Sequence, residues 1–202
     1  VGTLAYIKNL VTDRYIASVT PTSIYGVRRV CEKIDFAAPR VLVEFGPGTG
    51  VFTRYLLERT RPEARFVLIE RNRNFAAILR SKFRNPRVTV INDSAENVVA
   101  ILKGSGALPA DYILSGIPFS FFPPELRRRI VSATYAALRA GGKFLAYQTF
   151  YQSPAHLRVP LEARFGSIRV EYEMRNIPPL AIYEAIKRET SVREISCDVA
   201  GG

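Results

Sequence analysis

The sequence predicts an α/β protein: an open, mostly parallel sheet of seven strands with helices on both faces, preceded by a helical extension. Three observations carry that prediction. From Val41 onward, short apolar runs alternate with helix-length segments, the pattern of parallel strands joined by crossover helices. The first run leads into a turn with glycines at alternate positions, Gly46, Gly48 and Gly50, at the head of a helical stretch. The length, 202 residues of which 48% are hydrophobic, suffices for one well-buried core and not for two ordinary ones.

Ahead of the first strand, Leu4, Ile7, Val11 and Tyr15 recur at helical spacing beside Lys8 and Arg14, so residues 3–17 are expected to form an amphipathic helix. Thr22 or Ser23 then caps a second helix expected to reach about Ile34, and residues 1–36 make up an N-terminal helical region. Strands follow at 41–45, 65–70, 87–91, 111–115 and 143–150, with helical stretches such as 53–60 and 75–83 between them. Pro123, Pro124 and Glu125 open a further helix. Residues 167–174 and 181–187 show the alternation of a partly exposed antiparallel pair at a sheet edge. The main domain therefore spans 37–188, and the polar tail 189–202 is expected to fray.

Composition narrows the partners. A net charge of +11 suits a polyanion such as RNA or an anionic membrane surface, and does not choose between them. No stretch approaches the roughly 20 apolar residues of a membrane span, and the start VGTLAYIKNL lacks the features of a secretory signal. Cys31 and Cys197 match no metal or redox spacing, which suits a reduced cytoplasmic compartment without a structural disulfide. The sole histidine, His156, falls in a loop candidate with no second histidine or cysteine nearby, so no metal site is expected. Nor does the chain carry a hydrolase triad or a phosphate-binding P-loop.

The chemistry concentrates at strand ends. Glu44 closes the first strand, Glu70 the second, and Asp93 follows the third. In open α/β sheets the crevice at these carboxyl ends is the usual binding site. A glycine fingerprint for dinucleotides needs Gly or Ala where Val51 stands, which weakens that reading. Glu70 is placed to accept both hydroxyls of a ribose, and Asp93 an exocyclic adenine amine, with Ala95 leaving room for the ring. Negative charge from Glu44 beside the glycine turn suits a cationic ligand better than a pyrophosphate.

EFGPGTG, the acid in LIERN and DSAEN together resemble the S-adenosylmethionine site of class I methyltransferases, a likeness that runs from about Val41 to Lys187. The resemblance implies that Glu44, Gly46, Gly48 and Gly50 face the methionine end of the cofactor, Glu70 with Arg71 the ribose, and Asp93, Ser94 and Ala95 the adenine. It implies the Rossmann-like fold of those enzymes, S-adenosylhomocysteine as product, and no metal.

The fourth strand ends in SGIPF, where rRNA adenine dimethylases read Asn-Leu-Pro-Tyr; the amide that holds a planar amine is missing, and the stretch after Lys187 is too short for their helical domain. The chain is more similar to the bacterial phospholipid N-methyltransferases, through EFGPGTGVFT, SGIPF, AGGKFLAYQTF and MRNIPPLAIYEAIK. That resemblance implies stepwise N-methylation of phosphatidylethanolamine towards phosphatidylcholine, by a monomer bound peripherally to the inner face of the cell membrane through its N-terminal helix and basic residues. RNA adenine methylation is the alternative, and nucleic acid is not the expected partner. Tyr147, Ser115, Pro118 and Phe119 are the candidates for the transfer site; Ser115 is also a candidate cofactor contact. Arg175 and Arg127 are candidates for a lipid phosphate, and Tyr151 and Tyr183 for aromatic contact with the methylated cation.

Overall fold

The computed structural model describes residues 22–150 and 152–188. The expectations for the helix over 3–17, for Tyr151, for Cys197 and for the tail fall outside the described residues. Within them, strands β1 (Val41–Phe45), β2 (Arg65–Ile69), β3 (Val88–Ile91), β4 (Ala110–Ser115), β5 (Leu138–Thr149), β6 (Ile168–Glu173) and β7 (Leu180–Ile186) form one sheet in the order β3-β2-β1-β4-β5-β7-β6. Every pairing among β1 to β5 is parallel, and β7 runs antiparallel to both β5 and β6. The strand order reverses between β1 and β4, which places the binding crevice above that point.

Six α-helices cover the sheet among the described residues: α1 (Ile24–Cys31), α2 (Val51–Leu57), α3 (Arg73–Lys82), α4 (Val98–Gly104), α5 (Pro124–Ala137) and α6 (Ala155–Phe165). Because side chains alternate along a strand, the sheet feeds two cores. Leu42, Leu68, Leu114, Leu145 and Ile182 meet Val27, Phe52 and Leu79 of α1, α2 and α3. Val43, Val67, Ile113, Phe144 and Ala181 meet Val98, Ile130 and Leu161 of α4, α5 and α6. Each large side chain so buried contributes about 1.5–3 kcal/mol.

Four details differ from the sequence reading. β6 and β7 form the expected antiparallel pair at a sheet edge, but its exposure falls on the outermost β6, because β7 is buried along almost its whole length between β5 and β6. β5 begins five residues earlier than expected, at Leu138, where its register against β4 shifts before Gly141 and Gly142. His156 lies in the first turn of α6 and not in a loop: Pro154 sits at the helix head, and Pro160 inside the helix lacks only the amide that would reach the His156 carbonyl. α1 is capped as expected by Ser23, whose Oγ accepts from Gly26 N at 3.2 Å, but it stops at Cys31, where Ile34 N donates to the Cys31 carbonyl in a tight turn. Ser23 N also donates to Asn176 Oδ1 at 2.7 Å, which ties the head of α1 to the β6–β7 loop.

Candidate active site

A cleft opens over the carboxyl ends of β1, β2, β4 and β5. Its floor is the glycine turn. Gly46 and Gly48 adopt positive φ (63° and 54°), and a Cβ on Gly48 would meet nothing within 4 Å, so the turn presents bare backbone to the cleft. Gly46 is held from below, since a Cβ there would come within 2.7 Å of Ile117 Cγ2. Gly50 has a different task. It heads α2 at φ 75° and faces away from the cleft, where a Cβ would lie 2.3 Å from the Phe83 ring.

Three acids surround this turn. Glu70 is buried at the end of β2; its Oε2 accepts from Gly48 N at 3.3 Å and its Oε1 from Asn72 N at 2.8 Å, so one carboxylate fixes the glycine turn and the head of α3 together. Asp93 accepts through Oδ1 from Ser94 N (2.6 Å) and Asn97 Nδ2 (2.8 Å), and among the described residues nothing donates to its Oδ2. Glu44 lies deeper, 3% exposed; Thr53 Oγ1 donates to its Oε2 at 2.6 Å, while its buried Oε1 has no partner among the described residues. Burial first, and the nearby Glu70 charge second, push its carboxyl up to about 7 against the Thr53 hydrogen bond.

Of the sequence candidates, Gly46, Gly48, Glu70, Arg71, Asp93, Ser94, Ala95, Pro118 and Tyr147 all line the cleft. Tyr147 stacks on Phe52 with ring centroids 4.5 Å apart, and its hydroxyl occupies the space that a side chain at residue 116 would need. Others do not reach the cleft. Ser115 is wholly buried on the α5 side of β4, and Gly116 takes its place at the wall. Phe119 is likewise inaccessible, packed edge-on against Phe122 at 6.0 Å; Phe122 is the ring that faces the cleft. Tyr183 shares the face of Ala181 and Ala185 under α6, a core position whose burial raises its pKa. Arg175 donates both Nε and Nη2 to Glu173, at 3.0 Å each, so its planar fork already holds a carboxylate; it lies over the Tyr25 ring and does not line the cleft. Arg127 is half-buried, its Nε donating to the Phe122 carbonyl at 2.8 Å; among the described residues no carboxylate pairs with it. Glu44 and Gly50 act from behind the lining.

Sequence reasoning missed the far half of the cleft. Ile117, Phe122, Leu126 and Ile130 make one apolar wall, and Gln148, Thr149, Gln152, Asn176, Pro178 and Leu180 the other. The signal for Gln148 and Thr149 was their place at the end of β5; Asn176 and Pro178 come from a loop whose path only the pairing of β6 with β7 fixes. Among the described residues no group of three or more His, Cys, Asp and Glu is arranged to hold a metal.

A family model described as a methyltransferase domain matches residues 42–142. Over 176 residues the chain is 31% identical to an ornithine lipid N-methyltransferase of Singulisphaera acidiphila, an alignment covering 83% of this chain and 86% of that protein. The chain belongs to the class I S-adenosylmethionine-dependent methyltransferases. A second relative, ribosomal RNA small subunit methyltransferase A of Mesomycoplasma hyopneumoniae, is 32% identical over 161 residues, which are 69% of this chain and 56% of that protein. The fold matches a putative O-methyltransferase from Klebsiella pneumoniae with a TM-score of 0.67 at 12% identity, over 93% of this chain and 90% of that one.

The residues of this methyltransferase fit its cofactor. Gly48 leaves the floor open, the buried Glu70 carboxylate stands in the lining at the end of β2, and Asp93 Oδ2 accepts no hydrogen bond among the described residues, beside the buried Ala95. The unpartnered Glu44 Oε1 behind the turn supplies the negative field that a cationic methionine end requires.

Proposed function

We propose that the chain N-methylates the primary amine of a membrane aminolipid at the bilayer surface, with phosphatidylethanolamine as the acceptor that its sequence points to. The observation that carries this reading is the acceptor half of the cleft. It is walled by Ile117, Phe122, Leu126 and Ile130, and the end of β4 offers no Asn or Asp side chain to grip a planar base. Around its mouth, loops that carry lining residues also carry large exposed side chains: Phe121 beside Phe122, Phe150 beside Thr149, and Ile177 between Asn176 and Pro178. Such a rim, on a chain of net charge +11, suits the interface of an anionic bilayer, where each Lys or Arg near the surface contributes about 1 kcal/mol. No helix among the described residues is long and apolar enough to cross a membrane. The likeness to an ornithine lipid N-methyltransferase supports a lipid amine as acceptor.

When bound, S-adenosylmethionine supplies a methyl group that passes to the lone pair of the acceptor nitrogen while the electrons of the broken carbon–sulfur bond remain on sulfur. The chain's part is alignment and exclusion of water. Glu70 and Asp93 fix the nucleoside end, and Glu44 balances positive charge. Tyr147, Pro118 and Phe122 surround the acceptor, where desolvation disfavours the ammonium and so favours the neutral amine. The proton released from the methylated nitrogen leaves to solvent. The aromatic faces of Tyr147 and Phe122 accommodate the product cation.

The deciding experiment follows labelled methyl transfer from S-adenosylmethionine to phosphatidylethanolamine, or to ornithine lipid, in vesicles containing anionic lipid, with unmodified ribosomal RNA as the parallel acceptor. Label in the lipid is the expected outcome. Label in RNA alone would overturn the reading.

A further inference from the structure

We infer that Gln148 and Gln152 form the subsite that holds the acceptor amine, an inference that rests on the lipid-amine reading above. Gln148 is 3% exposed and lines the cleft, yet among the described residues neither its Oε1 nor its Nε2 finds a hydrogen-bond partner. Gln152, 9% exposed and also in the lining, donates Nε2 to Thr149 Oγ1 at 3.2 Å, and its buried Oε1 has no partner among the described residues. Buried polar atoms are almost always paired, and an amide with both ends unbonded beside an apolar wall marks a place where a ligand supplies the partners.

The chemistry of the missing partner follows from the atoms. Two amide oxygens can accept two N–H groups, the number on a neutral primary amine; with Gln152 Nε2 bonded to Thr149 Oγ1, its Oε1 is the end left to accept. The remaining donor, Gln148 Nε2, suits an oxygen of the lipid headgroup near the amine, a phosphate or a carboxylate. A neutral amide accepts from the amine without holding it as ammonium, which a carboxylate would do, and only the neutral amine has the lone pair that the transfer needs. The end of β5 thus takes over a task that the end of β4 cannot perform, because Ser115 is sealed in the core.

The subsite makes a graded demand. Unmethylated and monomethylated amines offer N–H groups in their neutral form, and a dimethylated amine offers none. With the full chain and vesicles carrying one acceptor at a time, Gln148→Leu is expected to lower kcat/KM about tenfold for the unmethylated and monomethylated lipids, and by less than about twofold for the dimethylated one. Calorimetric binding of short-chain phosphatidylethanolamine in the presence of S-adenosylhomocysteine weakens in parallel, while S-adenosylhomocysteine alone binds as before. Gln148→Glu keeps an acceptor but adds charge, so it moves the rising limb of the pH profile for unmethylated lipid to higher pH. Should Gln148→Leu fail to bind S-adenosylhomocysteine, that limb decides alone. Equal losses for all three acceptors, or an unmoved limb in Gln148→Glu, would overturn the subsite. Absence of transfer to any lipid amine by the parent chain would instead refute the lipid reading itself. Separate vesicles with phosphatidylethanolamine and ornithine lipid show which headgroup supplies the amine.

Discussion

Glu44 makes cofactor binding sensitive to pH near neutrality. Its carboxyl is pushed from an ordinary 4.5 up to about 7, because it is buried, close to Glu70, and bonded through only one oxygen. That displacement corresponds to about 3 kcal/mol against the charged form. The ammonium of the cofactor's amino-acid end, which S-adenosylhomocysteine shares with S-adenosylmethionine, restores the charge when it settles at the glycine turn, so binding below pH 7 expels a proton. If ionisation returns to the ordinary range in the complex, affinity for S-adenosylhomocysteine falls about tenfold from pH 8 to pH 6. Nearly one proton is then released per molecule bound at pH 6, and almost none at pH 8. Titration calorimetry in two buffers of different ionisation enthalpy reads both quantities, and Glu44→Gln flattens them. The unliganded chain carries the matching signature in stability: a raised carboxyl favours the folded state fully below pH 4.5, and that contribution is lost as pH rises from 4.5 to about 7. Constant affinity between pH 6 and pH 8, with no buffer dependence, would refute the reasoning.

Glu70→Ala removes the acceptor for two backbone amides and for the ribose, and is expected to weaken S-adenosylhomocysteine binding at least about a hundredfold by calorimetry. Gly50→Ala combines a left-handed backbone at φ 75° with a contact 2.3 Å from the Phe83 ring, so it should cost about 3 kcal/mol of stability in urea unfolding. Gly116→Ala drives a methyl group to 2.4 Å from the Tyr147 hydroxyl, and the displaced ring should lower kcat about tenfold while cofactor affinity, measured separately, stays within about twofold.

All seven strands were legible, most to within a residue or so, because central parallel strands such as β1 and β4 are buried on both faces and leave continuous apolar runs; the early start of β5, through Gly141 and Gly142, left no such run. The cofactor half of the cleft was legible for the same reason: Glu70 and Asp93 sit where strands end, and strand ends were easy to find. The acceptor half was not. Whether Ser115 or Gly116, or Phe119 or Phe122, reaches the cleft depends on which way the chain leaves β4, and a single residue of offset sends a side chain to the opposite face. Arg175 has the look of a phosphate ligand beside the rigid Pro178-Pro179 turn, but the carboxylate two residues before it, Glu173, takes its planar fork. The stretch around His156 reads as a loop candidate, but Pro154 stands at the helix head, where a proline costs little, and the helix continues through Pro160.

The interior position of β7 gives the polypeptide an order of completion. β6 precedes β7 in sequence and has no other neighbour in the sheet, so during synthesis it has nothing to pair with until residues 180–186 have left the ribosome. The cofactor half needs only β1 to β4 and can be assembled while the rest is still being made. Leu180, which lines the acceptor wall, belongs to the last strand to arrive, and Asn176 and Pro178 are set by the loop leading into it. A nascent or truncated chain lacking β7 therefore has the strands that bind the methyl donor without the wall that receives its acceptor.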